Sequence, residues 1–297
     1  MICHKRLRKF LRKCYNHTLE LTNRFLGPEN AKILDTLVRF KRKLNLRSPR
    51  DLAEKIAWLE YNDPHPLKVQ CTDKWAVRDY VRSKGLEHIL VPVYGDVHVS
   101  IDTLDLSLLP DAFVIKATHG CGMNEICTDK SQIDMDLLQS KLNTWLKTTY
   151  GIYSFEPHYK DIPHRFYIEQ YLGDGDAMID YKFFCYHGVP SFVEICSNRK
   201  SGLKIALYDM DWNRIHGITS KRDTPNTFVR PDGFETMKTI AMRLSEDFAF
   251  VRVDLYAIQT HIYFSELTFT PATCVLPNFK KSFLLSEGEK LILGSAH

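Results

Sequence analysis

Two runs near the C-terminus decide how this chain is read: Phe250-Val251-Arg252-Val253-Asp254-Leu255-Tyr256 and, after a short polar connection, Ile262-Tyr263-Phe264-Ser265-Glu266-Leu267-Thr268-Phe269-Thr270-Pro271. Both are apolar and rich in β-prone residues, so they predict neighbouring antiparallel strands. Side chains alternate along a strand, so Val251, Val253 and Leu255 share one face while Arg252 and Asp254 share the other. Glu266, Thr268 and Thr270 share a face in the same way. Charges inside apolar strands are costly unless paired, exposed or bound to an ion. Two carboxylates on adjacent strands suit Mg²⁺, which takes hard oxygen ligands and completes its shell with substrate phosphates. An Asp254–Arg252 ion pair on a wet sheet face satisfies the same pattern.

The 297 residues suffice for a large core and two or three lobes. An apolar content of 44% with 26% charged residues is that of an ordinary globular protein. No run of 18 apolar residues exists, so no transmembrane helix is expected, and the basic N-terminus has no signal-peptide apolar region. Eight cysteines, at 3, 14, 71, 121, 127, 185, 196 and 274, form no CxxC pair. That spacing points to reduced thiols and a cytoplasmic protein, and against a disulfide framework or a zinc module.

The net charge of +4 conceals an asymmetry. Residues 1–50 hold 14 Lys/Arg against 3 Asp/Glu, and the remainder is acidic. Ile2, Leu7, Phe10 and Leu11 lie among those basic residues, a pattern that fits an anionic membrane surface, such as the inner face of the cytoplasmic membrane, or an anionic polymer. A solvated helix or a partner contact explains it as well. No nucleic-acid partner is expected, because no aromatic or glycine-rich recognition motif accompanies the charge.

In chain order, residues 1–46 read as two basic helices broken at Leu26-Gly27-Pro28. Ser48-Pro49 supplies a cap and first-turn proline for a helix carrying Leu52, Ile56 and Leu59 inward. After the break Asn62-Asp63-Pro64-His65-Pro66, a capped helix from Thr72 through Tyr80 closes near Gly85, and Leu90–Tyr94 reads as a short strand. The run Phe113-Val114-Ile115-Lys116-Ala117-Thr118-His119-Gly120-Cys121-Gly122-Met123-Asn124 is a strand entering a flexible loop. Gly120 and Gly122 would let backbone N–H groups approach phosphate oxygens, with Lys116 supplying positive charge. An ordinary hairpin turn fits the same residues, and a Walker A ending is missing. His119 and Cys121 lack a third partner for metal or nucleophilic chemistry. Residues 131–150 then predict an amphipathic helix (Ile133, Leu137, Leu138, Leu142, Leu146). Strands follow at Arg165–Gly173, Asp180–Gly188, Ser191–Cys196 and Leu203–Tyr208, and a helix over 231–247 buries Phe234, Met237, Ile240, Ala241 and Leu244.

Taken together, these parts resemble the ATP-grasp superfamily. Asp73-Lys74 comes first, then Val-Ile-Lys116 before a glycine loop, Ile-Glu169-Gln-Tyr-Leu172, Val-Asp254 and Glu266-Leu-Thr268. Within it, Asp180-Tyr-Lys-Phe-Phe-Cys and Phe-Ser-Glu266-Leu-Thr-Phe-Thr-Pro271 resemble the branch named for teichuronopeptide biosynthesis, found among bacterial surface-polysaccharide genes. The resemblance implies an α+β fold in which two lobes with antiparallel sheets grip ATP. Residues 1–47 would be a basic helical extension and 48–112 an α/β region before the core. Residues 113–172 would form the small lobe with its glycine-loop lid, and 173–297 the large lobe with the metal site.

By the same resemblance Lys74 and Lys116 would contact ATP phosphates, and the 118–124 loop, with Gly120 and Gly122, would close over them. Glu169, Gln170, Tyr171 and Leu172 would be the hinge that holds adenine, through backbone groups and the leucine's apolar surface. Asp180 would bind ribose, with Asp176 as a rival, and Lys182 would face the phosphates. Asp254, Glu266 and Thr268 would hold Mg²⁺, or Mn²⁺ in its place, and Arg252 would steady the reacting phosphoryl group beside Lys116. The common superfamily pattern has Glu-x-Asn at the metal; Thr268 stands at the Asn position, where its hydroxyl would supply a neutral oxygen ligand for one ion. The implied chemistry joins a carboxylate to an amine through an acyl phosphate, with a uronic acid or amino sugar and an amino acid as substrates in a polysaccharide setting. Two rivals stand beside it. Asp134-Met-Asp136, Asp174-Gly-Asp176 and Asp209-Met-Asp211 are D-x-D cues of a glycosyltransferase, though Tyr208–Trp212 reads equally as a hairpin turn. Thr268 also leaves room for a non-catalytic ATP-binding scaffold.

Overall fold

The computed structural model describes residues 2–173, 179–197, 202–219, 222–224 and 227–294, with side chains from Cys14 onward. Helix α1 (Ile2–Phe40) is two helical segments, because Gly27 takes φ +83° and Pro28 starts the second. The segments pack on each other through Leu19, Ala31 and Leu34, joined by Phe155, and Tyr15 donates to Asp35 at 2.7 Å.

Helix α2 (Leu52–Asn62) begins three residues later than the Ser48-Pro49 signal suggests. Asp51 and Glu54 form a reciprocal capping box there, which satisfies two of the free N–H groups that Ser48 would have to serve alone. Leu52, Ile56 and Leu59 are buried as expected. Helices α3 (Leu67–Thr72) and α4 (Val77–Ser83) are separated by a turn in which Asp73 accepts the N–H groups of Trp75 and Ala76 at 2.8 and 3.1 Å. The expected strand at Leu90–Tyr94 does not form. Pro92 has no N–H to donate, so this segment makes only single bridges, through Val93 and then His98, to the strand that carries Glu169 and Phe166.

Two antiparallel sheets follow. Strands β1 (Phe113–Ala117), β2 (Asn124–Cys127) and β3 (Phe166–Gln170) form a three-stranded sheet with β1 central. Helix α5 (Met135–Leu146) covers it through Leu138, Leu142 and Trp145. Leu137, expected inward, is 64% exposed, and Trp145 takes the third position of the stripe. The large sheet runs β7-β6-β5-β4-β8-β9. It comprises β4 (Ile179–Tyr186), β5 (Val189–Ser197), β6 (Lys204–Asp209), β7 (Arg214–Ile215), β8 (Phe250–Ile258) and β9 (His261–Thr268). Helix α6 (Phe234–Ser245) lies between β7 and β8 in sequence and buries Phe234, Met237, Ile240, Ala241 and Leu244, as its periodicity predicts. Helix α7 (Lys281–Lys290) closes the chain.

Alternation along the central strands sorts the large sheet into two faces. Tyr181, Phe183 and Cys185 of β4 and Val251, Val253 and Leu255 of β8 pack with α6 in one core. On the other face, Phe184, Tyr186 and Phe250 join α2 and α7 residues in a second core. Further along that second face, the same strands carry Asp180, Lys182, Arg252 and Asp254. The sheet is therefore apolar where helices cover it and charged beyond them. The α+β fold class and the antiparallel neighbourhood of β8 and β9 match the sequence expectation.

Candidate functional site

The charged patch is built by register. Lys182 of β4 lies opposite Asp254 of β8, Asp254 lies opposite Glu266 of β9, and Arg252 lies opposite Thr268. A bulge after Asp254 shifts the β8–β9 pairing, so Glu266 and Thr268 stay on the charged face while Phe264 and Leu267 enter the core. Asp254 is fully buried, whereas about a third of the Glu266 side chain is exposed (34%).

Arg252 gathers the three residues. Its Nε donates to Asp254 Oδ1 at 2.6 Å. Its Nη2 lies 2.7 Å from Asp254 Oδ2, 3.3 Å from Glu266 Oε1 and 3.0 Å from Thr268 Oγ1. One cationic nitrogen thus sits where three oxygen donors converge. Lys182 pairs with the same Asp254 carboxylate. Desolvation favours neutral Glu266, but Lys74, Arg252 and Lys182, with the Thr268 hydroxyl, hold its pKa down at about 2. Burial disfavours the Lys182 ammonium, and Asp254 more than reverses this, raising its pKa above the ordinary lysine value.

The small sheet contributes a second set of paired charges nearby. Lys116 of β1 pairs with Glu169 of β3, the neighbouring strand. Burial opposes its charge, and Glu169 outweighs burial, with the Tyr167 and Tyr256 phenols adding to the upward shift. Tyr256 belongs to β8, so Lys116 also lies close to the large sheet. The Glu169 carboxylate is committed to Lys116, which leaves the backbone of that residue, the group expected to meet adenine, as its remaining polar contact. Gln170 is exposed, and Tyr171 and Leu172 are half-buried just beyond the strand. Asp180 is buried on the same β4 face as Lys182. Its rival Asp176 lies outside the described residues.

The loop between β1 and β2 is both a hairpin connection and a glycine loop. Gly122 takes φ +71°, and a side chain at Gly120 would run into Met123 Sδ at 2.7 Å. Lys74 reaches this loop, donating from Nζ to Gly120 O at 2.7 Å, and its N–H donates to Thr118 O at 3.0 Å. His119 is buried, stacked at 4.1 Å on His164 and bonded through Nε2 to Trp145 O. Cys121 is exposed, so the two do not form a pair.

Several neighbours of the site carry no mark in the sequence pattern considered above. Glu194 of β5 lies opposite Lys182 and supports the Arg252 charge. Arg165 pairs with Asp73 at 2.8 Å, tying the turn that carries Lys74 to the small sheet. Tyr150 and Tyr159 pack edge to face at 4.7 Å, and after burial itself Glu266 is among the charges that raise both phenols. Glu194 alternates in register with the apolar residues of β5, a signal that could have found it. Tyr150 lies in a turn and Tyr159 in a short 3-10 turn (Pro157–Asp161), neither long enough for a periodicity to mark it.

Mg²⁺ fits the donor set by chemistry, since two carboxylates and a hydroxyl offer hard oxygens that already converge on a cation. Among the described residues no group of three or more His, Cys, Asp or Glu converges for a metal, so any site here depends on Thr268 and on outside ligands.

Two antiparallel sheets, carrying paired lysines, an arginine and carboxylates on neighbouring strands, make an α+β protein of the ATP-grasp type. A family model described as TupA-like ATPgrasp matches residues 54–292, and the chain belongs to that family. No curated protein matches the sequence. Among solved structures, D-cycloserine synthetase DcsG aligns with TM-score 0.45 and 15% identity, over 81% of this chain and 79% of that one. D-alanine-D-alanine ligase from Helicobacter pylori aligns with TM-score 0.44 and 11% identity, over 82% and 70%. D-alanine–D-alanine ligase from Bacillus anthracis complexed with ATP gives TM-score 0.42 and 14% identity over 67% of this chain, which spans 55% of that one.

Proposed function

We propose that the chain joins a carboxylate to an amine at the expense of ATP, with the phosphates between Lys74, Lys116, Lys182 and Arg252. The observation that carries this reading is the convergence of Asp254, Glu266 and Thr268 on a single cationic nitrogen. Those three oxygens would hold Mg²⁺, which when bound neutralises phosphate charge and orients it for transfer. The remaining work belongs to the side chains. Adenine lies along the backbone of Glu169 to Leu172, and Asp180 takes the ribose. The lysines lower the repulsion between ATP and an incoming carboxylate. A carboxylate oxygen attacks the γ-phosphorus, the bond to the β-phosphate oxygen breaks, and ADP leaves. Arg252 steadies the transferring group. The amine nitrogen then attacks the acyl carbon, loses its proton, and expels phosphate. The loop over Gly120 and Gly122 excludes water from the acyl phosphate.

The family's association with surface polysaccharide makes a uronic acid or amino sugar and an amino acid the substrates of choice, in the cytoplasm or at the inner face of its membrane. The basic N-terminal segment would hold the enzyme to an anionic membrane or polymer. A glycosyltransferase reading loses its best cue: Asp209 accepts the N–H groups of Asp211 and Asn213 at 3.0 and 2.7 Å and is spent on a hairpin turn.

Incubation with ATP, Mg²⁺ and a panel of amino acids and uronic acids should release ADP and phosphate with the productive pair. Sugar-nucleotide hydrolysis with ATP ignored would refute the proposal. Glu266→Gln should lower turnover about a hundredfold or more while leaving the melting temperature at neutral pH lowered only slightly, because Glu266 is the more exposed of the two carboxylates.

A further inference from the structure

We propose that Arg252 is a latch on the metal site: it occupies the divalent-cation position itself until nucleotide phosphate draws it away. This rests on the site reading above and goes beyond it, because it makes metal binding conditional on nucleotide. Arg252 is not merely near the carboxylates. Its Nη2 contacts one oxygen from each of the three donors, and Nε takes the remaining Asp254 oxygen. Every donor residue the metal would need is engaged.

The rest of the cleft is matched in the same fashion. Lys182 holds Asp254, Lys116 holds Glu169, and Lys74 reaches the Gly120 carbonyl. Four cations (Lys74, Lys116, Lys182, Arg252) are set among five carboxylates (Glu169, Asp180, Glu194, Asp254, Glu266), so most of the negative charge around the metal position is already matched without ligand. A divalent ion entering alone must push Arg252 off its partners. The displaced guanidinium, 12% exposed, would then be stranded beside the ion in a poorly solvated cleft. Nucleotide reverses the balance. Its phosphates offer Arg252 and the lysines new anionic partners, and the released carboxylates and Thr268 hydroxyl become free for the metal. The exchange swaps ion pairs without leaving a buried charge unmatched. By linkage, nucleotide and metal then strengthen each other's binding by the same factor.

Mn²⁺ alone is a sufficient probe, read by loss of the free-ion electron paramagnetic resonance signal, with no substrate needed. Nucleotide-free wild type should bind it weakly. Arg252→Gln should bind it about tenfold more tightly, within the usual range of coupling between sites. Arg252→Lys, which keeps a charge, should remain close to wild type. The double variant Arg252→Gln/Glu266→Gln should lose the gain. Equal Mn²⁺ affinity in wild type and Arg252→Gln, with both folded by circular dichroism, overturns the latch. A gain that persists in the double variant overturns the metal site itself, and the latch with it.

Discussion

Asp254 and Glu266 carry the same charge on facing strands, yet their environments assign them different liabilities. Asp254 is completely buried between Lys182 and Arg252. Neutralising it by Asp254→Asn takes the paired carboxylate from buried Lys182 and leaves Arg252 only its longer contact with Glu266, which should cost about 3–5 kcal/mol in urea unfolding. Loss of activity in that variant would therefore be confounded by loss of fold, which is why Glu266 is the cleaner probe. Glu266 makes a separate prediction about acid. Its pKa falls from 4.5 to about 2 on folding, so between those values the unfolded chain binds the extra proton and stability rises with pH. The contribution is complete above pH 4.5 and lost as pH drops toward 2. Melting temperatures of wild type and Glu266→Gln should therefore converge only as pH approaches about 2 and separate modestly above about pH 4.5. Parallel curves across that window would show that the cluster does not hold the carboxylate charged.

The β1–β2 loop rests on the stacked His119 and His164 rings, with His119 bonded to Trp145 O on α5. Burial lowers the His119 pKa below its ordinary 6.5, and only the Trp145 and Thr148 backbone contacts oppose this, while His164 and Lys74 lower it further. A depressed histidine contributes stability above 6.5 that is lost as pH falls, since the unfolded chain protonates first. The wild-type melting temperature should drop between about pH 7 and about pH 5, and His119→Gln should flatten that drop. The strands are legible because apolar alternation and register follow from the same period of two, which is how β8 and β9 can be paired from residue order alone. Element starts are less legible. Ser48-Pro49 is a good cap by residue type, but Asp51 with Glu54 satisfies more backbone donors, and Pro92 removes a ladder donor from an otherwise apolar run. Glu169 shows the other limit: its strand is evident from composition, but its bond to Lys116 depends on which neighbour β1 presents, and no local pattern contains that.

Across the molecule, residue types announce the charged cleft while irregular segments hide its rim. Tyr150, Tyr159 and Glu156 come from chain without periodicity, and Glu156 reaches Thr270 just past the charged face of β9. That same irregular segment ties the N-terminal helices to the core. Lys32 of α1 is buried and donates to Ser154 O at 2.8 Å, and Arg42 binds Asp51 and Val275 O. The second half of α1 is thus integral to packing, whereas the six basic residues at 5, 6, 8, 9, 12 and 13 precede those contacts in sequence. Among the described residues no helix is long and apolar enough to cross a membrane. At roughly 1 kcal/mol per basic residue near an anionic membrane surface, deleting residues 2–13 should abolish co-sedimentation with phosphatidylglycerol vesicles at low salt. It should leave the melting temperature and the affinity for a non-hydrolysable ATP analogue unchanged. Deletion through residue 46 should instead lower the melting temperature, because it removes Lys32, Arg42, Leu44 and Leu46 from the core. If the shorter deletion sediments as well as the full chain, or if wild type binds neutral vesicles equally, the basic segment serves a different anion, and an acidic polymer becomes the ligand to test.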